Sequence, residues 1–298
     1  MQQLVVILVD GLVFSSYLFM VAVGLTIIFG VMKVLNVTHG SLYAFGAYLA
    51  AYLVGVYYEA GLPDAGGFLM LLLAPVIVGV VLGLILERGI LRHLYLRDEH
   101  TIVLATFAAF LMLEDVIILI WGVDPYFAYQ PVSLLGSSEI GGLAFDNYSL
   151  SLVFVAATVG AVCWYGLRRT KWGKLLMAVI YDREISQAMG INVTAVYIVT
   201  FVLGSILAAL GGAYVAPTIS VSPGIGVEVI VLAFAVVVTG GMGSIGGAMI
   251  GSLVVGIARA AAVHLLPEVE LFVIYAIMAA VLAFRPEGLF APAKARRI

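Results

Sequence analysis

The sequence predicts an all-α polytopic membrane protein with about nine membrane passes, in a range of about eight to ten, including broken or re-entrant helices. Three observations predict it. Of 298 residues, 64% are hydrophobic and 10% charged, whereas soluble domains run at about 45–50% apolar and about 25% charged. A water-soluble fold of this size has too little polar surface to cover so apolar a chain. The apolar residues also fall into blocks near the length of about 20 that crosses a bilayer as a helix. Finally, 33 glycines suit helices that pack closely in lipid, where small residues let backbones approach. No soluble domain or long linker interrupts the pattern, so 1–298 reads as one transmembrane domain.

Taken in order, the apolar blocks are 4–30, 40–58, 68–86, 101–121, 149–167, 194–216 and 271–284. The opening run MQQLVVILVDGLVF has no basic leader and continues to Phe29, so it reads as a retained span, not a cleaved signal. Residues 227–264 are apolar but broken by TGGMGSIGG at 239–247, and read as two shorter passes turning at that break. The segment 122–148, rich in Pro, Gly and Ser, is too long for a tight turn and reads either as cover over one mouth of the protein or as a passive loop.

The basic residues orient the chain, because Lys and Arg concentrate in short cytoplasmic loops. Loop 87–100 carries Arg88, Arg92 and Arg97, and loop 168–193 carries Arg168, Arg169, Lys171, Lys174 and Arg183. Both are expected inside. Loops 59–67 and 122–148 have acids but no Lys or Arg and are expected outside. Two passes over 227–264 then put the tail, with Lys294, Arg296 and Arg297, in the cytoplasm and the N-terminus outside. That arrangement leaves Arg259 in or near the outer half of a helix; either the Gly-rich turn is partly re-entrant or Arg259 faces a polar interior.

Chemistry-bearing constellations are few. The break at 30–40 holds Lys33, Asn36, Thr38 and His39 between two apolar blocks. It reads either as a cytoplasmic turn or as a discontinuous helix pair whose free ends meet a polar substrate, with Asn36, Thr38 and His39 as translocation-pathway candidates. Gly79 and Gly83, Ala208 and Gly212, and Gly247 and Gly251 each stand four apart, as close-packed helix faces require. Glu114, Asp115 and Glu228 lie near span ends and can reach an interface. No His or Cys cluster has metal-ligand spacing, and the lone Cys163 supports no intramolecular disulfide. The run GGMGSIGG lacks the Lys-Ser/Thr of a phosphate loop. The chain is therefore expected to bind no cofactor or nucleic acid itself, and any ATP that powers it would be used by partner subunits.

The longest charged segment is 168–193. Residues 174–189 predict a short helix with apolar Leu175, Leu176, Val179, Ile185 and Met189 and a polar side of Asp182, Arg183, Glu184 and Gln187, stopped by Gly190. It reads either as a helix lying along membrane lipid or as a docking element for a cytoplasmic partner.

Three regions carry a resemblance to a known family: GLTIIFGVMKVLNVTHGSLYAFGAYLA at 24–50, YDREISQAMGI at 181–191, and VVVTGGMGSIGGAMIGSLVVG at 236–256 followed by FRPEGLF at 284–290. They resemble the LivH-type inner-membrane permeases of bacterial branched-chain amino acid ABC importers. The resemblance implies a transmembrane pathway shared with a second related permease subunit, two cytoplasmic ATPase subunits and a periplasmic substrate-binding protein. It implies that 168–193 is a cytoplasmic coupling loop in which Glu184, Ala188 and Gly190 match the family's motif, and Asp182 and Arg183 beside them complete the expected ATPase-coupling residues. Thr38 stands where the family often has Ala, and Ile185 and Ser186 replace the usual small residue after the acid. The competing expectation is a self-contained secondary carrier or channel for a small polar solute, which needs no ATPase.

Overall fold

The computed structural model describes residues 2–95 and 97–290. Its long helices are α1 (Gln2–Met32), α2 (His39–Glu59), α3 (Gly66–Gly89), α4 (Glu99–Trp121), α6 (Asn147–Arg169), α9 (Val193–Val215) and α11 (Ile245–Leu265), and all seven are long and apolar enough to cross a membrane. The chain is thus an all-α, multi-spanning membrane protein. Between α4 and α6 run a short helix, α5 (Gln130–Leu135), and an antiparallel hairpin of β1 (Ser137–Ile140) and β2 (Leu143–Asp146). This hairpin is the one two-stranded sheet among the described residues; its turn is Gly141-Gly142, both at positive φ, a pair that suits the twist of two-residue hairpins.

The expected nine passes are corrected to seven helices long and apolar enough to cross a membrane among the described residues. The other two predicted passes are α10 (Ile225–Gly240) and α12 (Glu270–Phe284), of 16 and 15 residues. At 1.5 Å per residue they reach only about 22–24 Å, short of the roughly 30 Å hydrocarbon layer. Their ends explain it: α10 lies between Pro223-Gly224 and Gly241, and α12 between a turn at 267–269 and Pro286. The predicted break inside 227–264 is present, and Gly241 and Gly243 make it at φ 107° and 85°.

Polar residues start the helices where the sequence leaves orphan N–H groups. Asp98, Asp146, Thr170, Asn192 and Ser244 each accept a backbone N–H in the first turn of α4, α6, α7 (Lys171–Tyr181), α9 and α11. At the far end of α10, the FRPEGLF segment doubles back. Leu289 and Phe290 donate their N–H groups to the Thr239 and Gly240 carbonyls, each at 2.9 Å, which satisfies the last turn of a helix that ends inside the protein. Lys294, Arg296 and Arg297 lie outside the described residues.

The bundle is built around α2, 67% of whose span is buried, against 11% for α6. Lipid tails are as apolar as leucine, so helix contact in a bilayer rests on close packing. Small residues supply it: Gly24 of α1 and Gly204 of α9 are so close that a Cβ at Gly24 would lie 2.5 Å from the Gly204 carbonyl oxygen. Gly79 and Gly83 press α3 onto α9 around Val202, Ser205 and Ile206, as their spacing predicts. Peripheral α4 and α6 leave Leu104, Met112, Leu119 and Phe154 exposed, side chains that suit a hydrocarbon surrounding.

Candidate functional site

The predicted single helix over 174–189 is two helices. Asp182, at φ −156° and ψ 109°, ends α7 and begins α8 (Arg183–Ala188). Its carboxylate is the reason: Oδ1 accepts the Ile185 N–H at 2.9 Å, a cap that requires an extended residue at that point. Gly190, at φ 84°, closes α8 by donating to the Gln187 carbonyl at 3.0 Å, and Ile191 donates to the Ser186 carbonyl at 3.0 Å. Ser186 is buried and anchors the turn. Glu184, Ile185, Ala188 and Met189 face outward, with Ile185 59% and Met189 77% exposed. These apolar side chains stand exposed beside the charged Asp182 and Glu184. Arg183 lies across the ring of Tyr197, 5.6 Å from its centroid, and Tyr197 packs edge-on to Tyr95, 5.0 Å away. The two basic loops predicted to share one side therefore meet at one end of the bundle. Burial, and then the neighbouring Glu87 carboxylate, hold the Tyr95 hydroxyl well above its usual pKa, so it remains a donor.

Asn36 and Thr38 in the non-helical link between α1 and α2 come together with His39, the first residue of α2, and all three are buried. The Asn36 Oδ1 accepts the Thr38 hydroxyl at 2.6 Å and the Thr38 N–H at 3.2 Å. The His39 Nε2 lies 2.8 Å from the Val21 carbonyl, which assigns the ring proton to that nitrogen. The Asn36 Nδ2 and the His39 Nδ1 have no hydrogen-bond partner. Irregular backbone at membrane depth persists only where protein or water covers it, and here α1, α4 and α10 do. Lys33, at φ 55°, starts the link and lies 5.7 Å from the Phe29 ring centroid.

A cavity of about 1320 Å³ opens among the starts of α1, α6, α10 and α12 and the ends of α9 and α11. Asp10, Tyr17, Glu228, Arg259, His264 and Glu270 line it; Asn36, Thr38 and His39 do not. Arg259 is ion-paired with Glu270 and lies over the Phe14 ring, 3.8 Å from its centroid. This is the polar surrounding that its place in an apolar helix requires. The His264 Nε2 lies 2.8 Å from the Asp10 Oδ2. Sequence reasoning singled out Arg259 and Glu228 but not His264 or Glu270. These pairs join positions up to 254 residues apart, and no local spacing reveals that. Glu114, read as reaching an interface, instead accepts the Gly224 N–H at 3.2 Å at the start of α10. Among the described residues no cluster of His, Cys, Asp or Glu could hold a metal ion.

The whole chain has counterparts among known proteins. The branched-chain amino acid transport permease BraD of Pseudomonas aeruginosa is 29% identical over 294 residues, with 95% of this chain and 94% of the relative covered. The permease LivH of Escherichia coli is 26% identical, with 94% and 93% covered. Among solved structures, PsaBC from Streptococcus pneumoniae in complex with a Fab superposes with a TM-score of 0.50 at 14% identity, covering 98% of this chain and 94% of that one, a likeness of fold alone. Residues 7–282 match the family described as the permease component of branched-chain amino acid transport systems. With nearly its full length matched, the chain belongs to that family.

Proposed function

We propose that the chain is the membrane-spanning subunit of an ATP-driven importer in the plasma membrane, taking branched-chain or related amino acids from a periplasmic binding protein to the cytoplasm. It works beside a second related permease and on two cytoplasmic ATPase subunits. The observation that carries this reading is α8, a capped and anchored short helix that exposes Glu184, Ile185, Ala188 and Met189 beyond the membrane spans. An isolated helix of six residues has no stability of its own. A chain that nonetheless caps both ends of one and turns its apolar side chains outward presents it to a partner.

In this reading, ATP binding closes the ATPase pair, Asp182 to Gly190 moves with it, and the attached helices α6 and α9 tilt. The basic loops 87–100 and 168–193 face the cytoplasm with the C-terminus, and α10 and α12 are short passes completed by other protein. Asn36, Thr38 and His39 belong to the path that opens when α1, α2 and α10 separate; their unpaired Nδ2 and Nδ1 atoms then gain partners. The test is reconstitution with candidate partner subunits, scoring uptake of leucine, isoleucine, valine, other amino acids and urea. ATP-dependent amino acid uptake supports the reading. Uptake that persists without any ATPase subunit overturns it in favour of a self-contained carrier or channel.

A further inference from the structure

Glu87 is a wholly buried carboxylate, 0% exposed, in the last turn of α3. Its Oε1 accepts the Tyr95 hydroxyl at 2.6 Å, and its Oε2 has no hydrogen-bond partner, with Arg88 Nε standing 3.6 Å away. A half-satisfied buried acid is a poor way to finish a helix, since an apolar side chain of similar size there is as stable or more so. What Glu87 does achieve is to hold Tyr95, in the loop beyond α3, by a charge-assisted bond. The Tyr95 ring in turn meets the edge of Tyr197 in the first turns of α9, and the other neighbour of Tyr197 is the Arg183 guanidinium of α8.

We infer that Glu87, Tyr95 and Tyr197 are positioning residues that carry movement of α8 into α3, a helix distant from the coupling loop in sequence. The inference rests on the proposed coupling role of α8. The two outer contacts, ring on ring and cation on ring, are individually weak and can be made and broken in each cycle. The inner contact, carboxylate to hydroxyl, is strong and keeps Tyr95 attached to α3. When α8 is drawn away from Tyr197, the foot of α3 loses its support on that side. Because α3 lies against α9 along Gly79 and Gly83, a shift at its foot alters the packing of that helix pair.

The experiment uses the full transporter in liposomes, with leucine as the first probe, and reads two quantities: ATPase-subunit affinity, and leucine taken up per ATP hydrolysed. Tyr95→Phe keeps the ring and removes the hydroxyl. The expected result is affinity within about twofold of the parent and uptake per ATP lower by about threefold to tenfold, the size of coupling changes along packed networks. Adding Tyr197→Leu is expected to lower the ratio no further, since both act on one path. An unchanged ratio in Tyr95→Phe overturns the inference, as does a loss of affinity in proportion, which is the mark of a merely structural role. If Tyr95→Phe fails to assemble, Glu87→Gln and Tyr197→Leu are read the same way, and an unchanged ratio in both overturns it. Glu184→Lys separates the two claims. If it leaves ATPase affinity intact, the coupling reading of α8 falls and this inference with it; if it weakens affinity while Tyr95→Phe is silent, only the relay falls.

Discussion

The imidazole of His264, at the end of α11, lies 2.8 Å from the carboxylate of Asp10, near the start of α1. With the neighbouring Arg259–Glu270 pair it ties α1, α11 and α12 together at the mouth of the cavity. The side chains of His264 and Asp10 are 28% and 46% exposed, so water screens the pair and it contributes at most about 1 kcal/mol. Asp10→Ala and His264→Ala are each expected to lower stability by no more than that, less in high salt, and thermal unfolding of the purified protein checks it. A cost of several kcal/mol would mean that the pair is a structural clamp.

Glycines at different places should respond in opposite directions. At Gly24 a Cβ would lie 2.5 Å from the backbone oxygen of Gly204, with no flexible side chain to give way, whereas at Gly55 it would meet nothing within 4 Å. Gly24→Ala is expected to cost about 1–3 kcal/mol through overpacking. Gly55→Ala, inside α2, is expected to stabilise by about 0.5–1 kcal/mol through helix propensity. Unfolding midpoints that move together in both variants would contradict the close-packing account of α1 against α9.

The strap at 285–290 gives a backbone test. Leu289 donates its N–H to the Thr239 carbonyl, so Leu289→Pro removes the donor while Leu289→Ala keeps it. Leaving that carbonyl unpaired is expected to cost about 1–3 kcal/mol. Proline should therefore destabilise by more than alanine does, measured as the difference in unfolding free energy. Equal effects would assign the role of the strap to the leucine side chain.

Much of this fold was legible because bilayer helices announce themselves by length. Block 101–121 became α4 and block 194–216 became α9 within two residues at each end, and the glycine break at 239–247 did split two helices. Two things were illegible for physical reasons. The glycine break marks 227–240 as a shorter pass, but hydropathy does not register that the turn at 267–269 and Pro286 stop 271–284 short of a full crossing. The apolar periodicity of 174–189 runs straight through Asp182, whereas its carboxylate caps a new helix there. The candidate site divides along the same line. Residues 182–190 were visible as one charged loop, while the pairing of His264 with Asp10 depends on a tertiary contact that no local pattern carries, and Tyr95 meets Glu87 through a turn that hydropathy does not register.

The exposed face of α8 should be sensitive to charge. Glu184 is exposed and lies in the first turn of α8, where a negative side chain also favours the helix N-terminus. Glu184→Lys reverses the charge presented to the ATPase and is expected to weaken its binding by about tenfold, as loss of a complementary interfacial charge commonly does. Circular dichroism should be unchanged. Pull-down or fluorescence titration of the ATPase subunits measures it, and unaltered affinity counts against docking through α8.

The link between α1 and α2 separates a role in transport from a role in folding. His39 is buried against the Val21 carbonyl through one nitrogen and leaves the other unpaired, and Asn36 does the same with its amide nitrogen. His39→Phe removes the bond to Val21, whose carbonyl lies mid-helix in α1 and keeps its helical partner, so it is expected to destabilise by about 0.5–1.5 kcal/mol. Asn36→Asp keeps the acceptor for Thr38 and changes only the unpaired group, so it is the informative variant. If the link opens onto the transport path, Asn36→Asp should assemble with its partners normally yet alter the KM or kcat of uptake, because the added charge meets the solute. Parent-like uptake kinetics in a fully assembled Asn36→Asp transporter would mean that the link remains sealed throughout the cycle and serves only to join two helices inside the protein.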